Sequence, residues 1–546
     1  RADIPPKVAA KATYVHDVKL PGMLHARVIH PKGIGSTITS VGGIQPPVPG
    51  AQVVRVGNLV AVVAEREWDA IKGATNLQIT WSDWNGLPTS DNVYAALRQL
   101  PATNKVQMNV GNAPAALTTA AKTLSATYQT PYENHGMISP SCGVADVRAD
   151  GSATVHSGTQ YPAGLQKDVA TLLGVAPTMV DVVRHEGAGC YGRLSANLDD
   201  AATEAVVLSK QVGRPIRVQW MRADEHIWEP HGPGTVHDLK AGLDAAGNIV
   251  SWVHEAWMPT NSDSTELGSS LSGRQLRGPG IGGWTGPDLY TFANSYEVAH
   301  GLPEIGAASS PYNFGLRTTF LRSPGQYQIT FAQEAFVDEI AAAAKQDPLA
   351  FRLAHLKDAR AIAVLQGAAK AANWEARPSP KSGAGTNKGI VSGQGIALVL
   401  RDGTYAAAVM KLTVDPSSGK IKVQHVAVAQ DSGQVINPQA IEHQIESCII
   451  QTMSRAILEE VKFDTSNVTT ADWKSYPILT MADAPDKITP VLINHPEIAP
   501  TGVGEPAVNI IAPVLSSAIF DATGVRIRKL PLRPADVKAA LNAGTT

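Results

Sequence analysis

The fold is indicated most clearly by residues 501–532, which read TGVGEPAVNIIAPVLSSAIFDATGVRIRKLPL. Two glycines stand just before Glu505, and Pro506 suits the first turn of a helix because its missing N–H costs nothing there. An apolar run follows, and Gly524 supplies a typical helix stop. The stretch therefore predicts a helix over residues 507–522, with a carboxylate at its N-terminus.

The Glu505 carboxylate admits two interpretations. An acid at a helix N-terminus complements the helix dipole, which stabilises a helix by about 0.3–1 kcal/mol, and for an isolated motif this is the simpler interpretation. A carboxylate beside flexible glycines can also serve as a general base where a substrate approaches the backbone closely. Local sequence leaves both roles open and makes Glu505 a candidate catalytic residue.

The composition excludes several classes of protein. The chain has 546 residues, with 46 Lys and Arg against 48 Asp and Glu, so its net charge of −2 offers no positive surplus for nucleic acid. Charged residues make up 17% and apolar residues 44%, which indicates a soluble globular protein. The longest apolar stretch, Asn509 to Phe520, is shorter than the roughly 20 residues that span a bilayer. We therefore expect no nucleic-acid partner and membrane contact only through partner proteins.

The cysteines restrict the redox chemistry that this chain can carry by itself. Cys142, Cys190 and Cys448 are scattered and form no Cys-x-x-Cys pair. This pattern provides no zinc ribbon, no cysteine-ligated iron–sulfur cluster and no covalent haem attachment. Any redox centre is expected to be bound non-covalently or to lie on another chain.

The distribution of turns and apolar periods predicts an α+β fold with five segments. Residues 1–90 show short strand-like runs between Pro and Gly turns and predict a small α+β domain. Residues 91–120 are polar and weakly periodic and predict a connection. Residues 121–376 mix strands with a few helices, and residues 377–388 are rich in Pro, Ser, Gly and Lys, as a linker is. Residues 389–546 alternate strands with helices.

Several elements are predicted individually from apolar periods and helix caps. A glycine-dense loop is predicted over residues 268–286. The predicted helices cover residues 199–211, 334–344 and 442–461, with a further one opening at Asp347 and Pro348, and the predicted strands cover residues 23–29, 59–64, 77–81, 216–220, 405–415 and 421–428.

A glycine motif follows a strand-like run and has two possible roles. Gly187, Gly189 and Gly192 have the spacing Gly-x-Gly-x-x-Gly. A dinucleotide site needs a helix that opens at the last glycine, and here the helix is predicted to start about six residues late. A nicotinamide site is therefore excluded. A plain turn is favoured by composition, and the alternative is a loop whose N–H groups approach an anionic ligand, with Arg193 beside it.

Two other patterns resemble hydrolase or metal sites only superficially. The run from Gln430 to Gly433 has the Asp-Ser-Gly order of a serine nucleophile loop but lacks the glycine and proline expected after it, so a tight turn is predicted. A group of acids and histidines between Asp224 and Asp238 has no helical metal-ligand spacing, because Pro230 interrupts it. A polar loop is predicted there.

Taken together, the motifs resemble those of the xanthine dehydrogenase and aldehyde oxidase family, the molybdenum hydroxylases, in their molybdopterin-binding large subunit. The run Trp220 to His226 and the Gly-Cys-Tyr-Gly-Arg form of the glycine loop are most similar to the bacterial branch with isoquinoline and nicotinate oxidoreductases and membrane-associated aldehyde dehydrogenases. The matching stretches occur in family order over nearly the whole chain: Arg1 to Asp3 with Lys7, Tyr14 to Gly22, Gly158 to Pro162, Gly187 to Arg193, Arg322 to Gly325 with Glu334, Asp347 and Pro348, Asp431 to Pro438, Gln444, Gly502 to Pro506 and Arg526 to Leu532.

The resemblance implies a fold, a cofactor and a set of site residues. It implies an N-terminal hammerhead-like domain and a large two-part molybdopterin-binding region that holds molybdopterin or its cytosine dinucleotide. The metal is then held by pterin sulfurs, so no side chain is expected as a metal ligand, and no cluster, flavin or haem is expected on this chain. Glu505 is implied as the catalytic base. The implied cofactor-binding residues are Gln160, Gly189, Cys190, Tyr191, Gly192, Arg193 and Arg322.

The family position also implies a substrate class and partners. The expected reaction oxidises a small aldehyde to a carboxylic acid with water as oxygen source, and the alternative is hydroxylation of an N-heteroaromatic such as nicotinate or isoquinoline. Electrons are expected to leave through a small subunit with two [2Fe–2S] clusters and a cytochrome c subunit. The branch implies the periplasmic side of the inner membrane. An inactive binding protein or a hydrolase would be the rival interpretations.

One family segment has no counterpart here. Relatives carry a Glu-Met-Gly-Gln-Gly type segment that contacts the pterin, whereas the Gly-Gln-Gly at Gly393 to Gly395 lacks the Glu-Met and opens the last segment. No cofactor role is therefore assigned to Gln394. Because the sequence starts at Arg1, the missing segment is expected to be a separate chain, to have been cleaved off, or to lie upstream of the sequence.

Overall fold

The structure, a computed structural model, describes residues 2–187, 189, 191–192, 199–259, 265–274, 276, 289–385 and 389–544. Helices and strands alternate in an α+β architecture, as predicted. The helices are α1 Ile4–Val8, α2 Glu67–Asn76, α3 Val93–Leu97, α4 Ala113–Thr118, α5 Pro162–Leu173, α6 Asp200–Val212, α7 Arg222–Trp228, α8 Leu267–Leu271, α9 Gln326–Ala343, α10 Pro348–His355, α11 Ala359–Ala371, α12 Pro438–Ile457, α13 Pro506–Thr523 and α14 Pro534–Ala543.

The strands form four sheets. They are β1 Leu24–Val28, β2 Ile38–Ile44, β3 Gln52–Val56, β4 Leu59–Ala64, β5 Leu77–Trp81, β6 Thr103–Val110, β7 Lys122–Thr130, β8 Cys142–Val147, β9 Ala153–Ser157, β10 Val180–Arg184, β11 Ile216–Gln219, β12 Thr235–Leu243, β13 Ile249–Pro259, β14 Ser295–Leu302, β15 Val391–Arg401, β16 Thr404–Asp415, β17 Lys420–Asp431 and β18 Lys487–Ile493. A two-stranded sheet pairs β2 with β5.

A seven-stranded sheet joins the first part of the chain to the region that follows it. Its strand order is β10-β9-β8-β11-β1-β4-β3, and β1 pairs in parallel with β11. Helix α6 lies directly on β8, where a Cβ on Gly143 would be only 2.4 Å from the Cα of Ala202. Glycine is required at this position because no side chain fits between strand and helix.

A five-stranded sheet, in the order β6-β14-β13-β12-β7, corrects one prediction. Residues 91–120, which were predicted to be a connection because they are polar and weakly periodic, form α3, β6 and α4. Strand β6 lies at the edge of the sheet, and most of its side chains are exposed. Val106, Met108 and Val110 alternate with polar residues, so a strand signal was present, but it is short and follows three polar residues, which favoured the prediction of a connection.

The C-terminal sheet, in the order β15-β16-β17-β18, carries the core helix α13 on one face and α11 on the other. Strand β15 approaches α13 closely, because a Cβ on Gly395 would stand 2.2 Å from the carbonyl oxygen of Val514. Gly393 makes a similarly close approach to Ala518. The Gly-Gln-Gly run therefore serves helix–strand packing, which gives a physical reason not to assign Gln394 to the cofactor.

Helix α13 is the apolar core of this part of the protein. By length and composition it could cross a membrane, yet all of its residues are buried inside the protein. It was predicted over residues 507–522 and is observed over Pro506–Thr523, with Gly524 in the left-handed conformation at its end. Its apolar character is that of a core helix.

The Arg-rich tail after α13 is held by two acids of α9. Arg526 Nη1 donates to Asp338 Oδ2 over 2.7 Å, and Arg528 Nε donates to Glu339 Oε1 over 2.7 Å. The arginines of this motif thus fix the chain after α13 against α9. Helix α9 starts at Gln326, well before the predicted residue 334.

The prediction of a polar loop between Asp224 and Asp238 was wrong. Residues 222–228 form α7, and His237 lies in β12. Most of the acids and histidines there are buried and hydrogen-bonded, as in the 2.7 Å contact between His231 Nδ1 and Asn134 Oδ1. Buried polar groups of this kind are paired within the protein, which explains a polar sequence in an interior position.

Two other predicted loops have mixed outcomes. The loop predicted over residues 268–286 contains most of α8, and residues 275 and 277–286 lie outside the described part of the chain. The tight turn predicted after β17 is observed, because Gly433 has φ +74° and its N–H donates to Asp431 Oδ1 over 3.0 Å.

Candidate active site

Glu505 is the N-cap residue of α13. The side chain is about one-third exposed, at 34%. Arg401, at the end of β15, donates from Nε to Glu505 Oε2 over 2.7 Å, and its Nη2 also contacts Oε2. The guanidinium and the helix N-terminus both place positive charge beside this carboxylate.

Arg322 ties the loop before Glu505 to helix α12. Its Nε donates to the carbonyl oxygen of Gly504 over 2.7 Å. Its Nη2 donates to Gln444 Oε1 and its Nη1 to Ser447 Oγ, both over 2.7 Å. Because every nitrogen of the planar guanidinium group has a partner, Arg322 holds two segments of the site in a fixed relation.

The glycine loop packs against the strand-like segment that leads to Arg322. Gly192 has φ +109°, and a Cβ there would lie 1.9 Å from the carbonyl oxygen of Phe320. Tyr191 has φ +56°, and its carbonyl oxygen accepts from the N–H of Arg322 over 3.1 Å. Gly189 has φ +93°. A glycine is therefore obligatory at position 192, where backbone meets backbone.

A cavity of about 570 Å³ brings most of the sequence-predicted residues together. Cys190 and Arg193 lie outside the described residues, and Gly189 is not part of the lining, although its position is next to Tyr191. The lining consists of Gln160, Tyr191, Gly192, Phe320, Arg322, Pro324, Arg401, Gln444, Ser447, Gly504 and Glu505.

Arg401, Ser447 and Cys448 belong to the site but were not predicted from the sequence. Arg401 directly follows the apolar run of residues 396–400 and precedes an Asp-Gly turn, and a charge in that position was an available signal. The Cys448 thiol donates to the Gly504 carbonyl oxygen over 3.5 Å. Burial raises the pKa of this thiol to about 11, so it stays neutral and acts as a weak donor.

A second cavity, of about 310 Å³, shares Tyr191 and Ser447 with the first. Trp473 and Tyr476 line it together with the buried carboxyl of Glu459. Tyr476 donates to Glu459 Oε2 over 2.7 Å, and burial raises the pKa of Glu459 to about 7. The space beside the main cavity is therefore aromatic and carries a carboxyl that is partly protonated at neutral pH.

The residues of the main cavity fit an anionic, flat cofactor. Among the described residues, its charged lining side chains are the two guanidinium groups of Arg322 and Arg401 and the carboxylate of Glu505, so this part of the lining is net positive. Tyr191 and Phe320 also belong to the lining, and aromatic residues suit a planar group. The cavity volume is within the range of small-molecule sites. A molybdenum–pterin group with its phosphate has this combination of properties.

Two regions of the chain match the molybdopterin cofactor-binding domain family. They are residues 97–273 and residues 336–485. The second region includes Arg401, Gln444 and Ser447 of the cavity lining.

Three relatives align with nearly the whole chain. A nicotinate dehydrogenase polypeptide of Pseudomonas putida is 34% identical over 99% of this chain and 46% of its own length. An isoquinoline 1-oxidoreductase polypeptide of Brevundimonas diminuta is 28% identical over 98% of this chain and 68% of its own length. Membrane-bound aldehyde dehydrogenase of Gluconacetobacter polyoxogenes is 24% identical over 99% of this chain and 72% of its own length. The chain thus spans just under half of the nicotinate relative.

Solved structures share the fold. Quinoline 2-oxidoreductase from Pseudomonas putida 86 superposes with a TM-score of 0.82 at 13% identity, over 99% of this chain and 97% of that chain. CO dehydrogenase from Oligotropha carboxidovorans superposes with a TM-score of 0.79 at 11% identity, over 100% of this chain and 97% of that chain. The predicted α+β architecture is confirmed, and the two matches to molybdopterin cofactor-binding domains, which together cover more than half of the chain, show that the chain belongs to the molybdenum hydroxylase family.

Proposed function

We propose that this chain forms the catalytic part of a molybdenum hydroxylase that inserts oxygen from water at an electron-poor carbon. The observation that carries the proposal is the position of Glu505, whose carboxylate lies in the wall of a cavity of about 570 Å³ that Gln160 and Arg322 also line. A carboxylate in that position can take the proton of the attacking oxygen. The inactive-protein alternative is disfavoured because the base and its supports are all present.

The cofactor and the residues of this chain would have different tasks in the reaction. When bound, the molybdenum–pterin group would supply a Lewis acid that activates water and a centre that accepts two electrons. Gln160, Tyr191, Gly192 and Arg322 would hold it, through an amide, an aromatic ring, a stretch of backbone and a guanidinium. Glu505 would receive the proton from its position at the N-terminal end of α13.

Two substrate classes are proposed, because each has support among the relatives. A small aldehyde, oxidised to a carboxylic acid, corresponds to the Gluconacetobacter relative at 24% identity. An N-heteroaromatic ring corresponds to the nicotinate relative at 34% identity, and the aromatic cavity beside Tyr191 suits a flat ring. Both substrates offer an electron-poor carbon to the same base, so the chemistry of Glu505 is shared.

The electron acceptors are proposed to lie on other polypeptide segments. In the described part of the chain the cysteines Cys142 and Cys448 are buried and stand apart, which suits neither cluster nor haem ligation. A small subunit with two [2Fe–2S] clusters and a cytochrome c subunit would then carry the electrons away, on the periplasmic side of the inner membrane. Cell fractionation of the native complex tests the location.

Elemental analysis and a reduction assay test the proposed function directly. The purified native complex should contain about one molybdenum per chain, and an electron-accepting dye should be reduced with either simple aldehydes or nicotinate-like rings. Reduction by aldehydes alone or by heteroaromatics alone assigns the substrate class. A complex without molybdenum, or with metal but inactive on both classes, would overturn the proposal.

A further inference from the structure

Arg401 contacts the proposed base, Glu505, in an arrangement that indicates a role in catalysis. Both of its contacts with Glu505 end on the same oxygen, Oε2: one from Nε at 2.7 Å and one from Nη2. Among the hydrogen bonds of the described residues, none reaches Oε1 of Glu505. The guanidinium therefore occupies one carboxylate oxygen and leaves the other for a different partner.

The guanidinium group of Arg401 is also hydrogen-bonded to a second residue, Gln326. Its Nη1 donates to Oε1 of Gln326 over 3.1 Å, and the amide nitrogen of Gln326 donates to the carbonyl oxygen of Leu400 over 2.7 Å. Gln326 is 3% exposed, at the start of α9. Because a buried amide links the guanidinium to the backbone of β15, Arg401 meets Glu505 in one defined orientation.

We propose that Arg401 is a positioning residue, which fixes Glu505 through Oε2 so that Oε1 takes the proton in the hydroxylation. The inference rests on the proposed function. It gives a reason why an arginine ends an apolar strand inside the active-site cavity, where it lines the wall next to Glu505. Asp402, the other acid near Arg401, is 3.5 Å away and 73% exposed, so it cannot replace Glu505 as the main partner.

The test compares three variants in the native complex. Arg401→Met removes both contacts with Glu505 Oε2. Arg401→Lys keeps a cation that can make a single contact, and Asp402→Asn removes only the exposed acid. Asparagine suits position 402 because its φ is +49°, a conformation that asparagine tolerates. For each variant we measure molybdenum content, kcat, KM, and recovery of activity by added guanidinium ion.

The expected pattern separates positioning from other roles. Arg401→Met should lower kcat about 100-fold with KM within about threefold, since misplacement of a catalytic group costs rate rather than binding. Arg401→Lys should keep part of the activity. Added guanidinium should raise the kcat of Arg401→Met several-fold. Asp402→Asn should have the kcat and KM of the wild type. A raised KM with unchanged kcat would instead make Arg401 a substrate anchor and overturn the inference.

A crystal structure of Arg401→Met provides a readout independent of turnover. The Glu505 carboxylate is expected to leave its wild-type position while molybdenum content stays at the wild-type level. An unmoved carboxylate, or loss of metal without rescue by guanidinium, would also overturn the positioning role. A wild-type complex that lacks molybdenum would refute the proposed function, and the position of the carboxylate would still be measured.

Discussion

Arg322 Nε donates a 2.7 Å hydrogen bond to the carbonyl oxygen of Gly504, the residue immediately before Glu505. The same carbonyl oxygen accepts from the Cys448 thiol over 3.5 Å. The Gly502 carbonyl oxygen, two residues earlier, accepts a 2.7 Å hydrogen bond from the Thr404 hydroxyl. The backbone that carries the proposed base is therefore supported from the α12 side through Gly504.

Arg322→Lys should impair turnover without loss of the fold. Lysine can replace one contact of the guanidinium but cannot hold Gly504, Gln444 and Ser447 together. We expect kcat to fall about 10- to 100-fold, and molybdenum content to fall less. Arg66→Lys is the control, since that side chain is 80% exposed. Equal kcat values for the two variants would contradict a supporting role for Arg322.

Glu505→Gln should keep the cofactor and lose turnover. The amide is nearly isosteric with the carboxylate but cannot take a proton, and general-base catalysis typically contributes about 10²–10⁴-fold in rate. Single-turnover reduction by substrate and elemental analysis give the two readouts. Glu497→Gln, which changes an acid that is 67% exposed on the preceding loop, serves as the control. Near-normal activity in Glu505→Gln would remove this residue from the role of base.

Gly192→Ala should damage the cavity wall by a direct clash. The added methyl group would meet the Phe320 carbonyl oxygen at 1.9 Å, and φ +109° is unfavourable for alanine. Gly213→Ala is the matched control, because Gly213 has φ +71° with nothing within 4 Å of its Cβ. The control should show only backbone strain, of about 1–2 kcal/mol. We expect molybdenum content to fall in Gly192→Ala alone, and equal content in both variants would contradict the clash.

The sequence predicted elements well where local signals mark both ends. Helix α13 agrees to within one residue at each end, because Pro506 and Gly524 are start and stop signals that act locally. Helix α9 starts eight residues before the predicted position. It is buried along most of its length, so it lacks the amphipathic period from which helix starts are recognised.

Only the site residues that lie in recognisable sequence motifs could be predicted. The resemblance named Gln160, Tyr191, Arg322 and Glu505, and the structure brings them into one cavity. The pairing of Arg401 with Glu505 joins residues 104 positions apart and depends on how β15 lies against α13. No local pattern encodes such a tertiary relation, and only the unusual charge at the end of a strand pointed to it.

The buried ion pair of Glu334 and Arg352 should be costly to break. Arg352 Nε donates to Glu334 Oε2 over 2.9 Å, and both side chains are buried. Arg352→Met leaves an uncompensated carboxylate in the interior, for which we expect a loss of about 3–5 kcal/mol in unfolding free energy. Lys32→Met, which breaks the exposed 3.7 Å pair with Asp83, should cost less than about 1 kcal/mol. Urea unfolding compares the two, and similar midpoints would contradict the estimate.

Glu459 should make stability depend on pH in a direction opposite to that of most carboxylates. Burial, reinforced by the nearby charge of Glu133, raises the pKa of Glu459 from 4.5 to about 7. Between these two values the folded state holds a proton that the unfolded state has lost. The contribution of Glu459 to the free energy of unfolding is therefore fully present below about pH 4.5, and it is lost progressively as the pH rises through 7.

Glu459→Gln should remove this dependence, because the neutral amide can still accept the 2.7 Å hydrogen bond from Tyr476. Relative to the wild type, the variant should gain about 2–3 kcal/mol in unfolding free energy between pH 5 and pH 8. Urea unfolding of both proteins at the two pH values measures the difference, in which the contributions of all other titrating groups cancel. A stability difference that stays constant with pH would mean that Glu459 ionises normally in the folded protein.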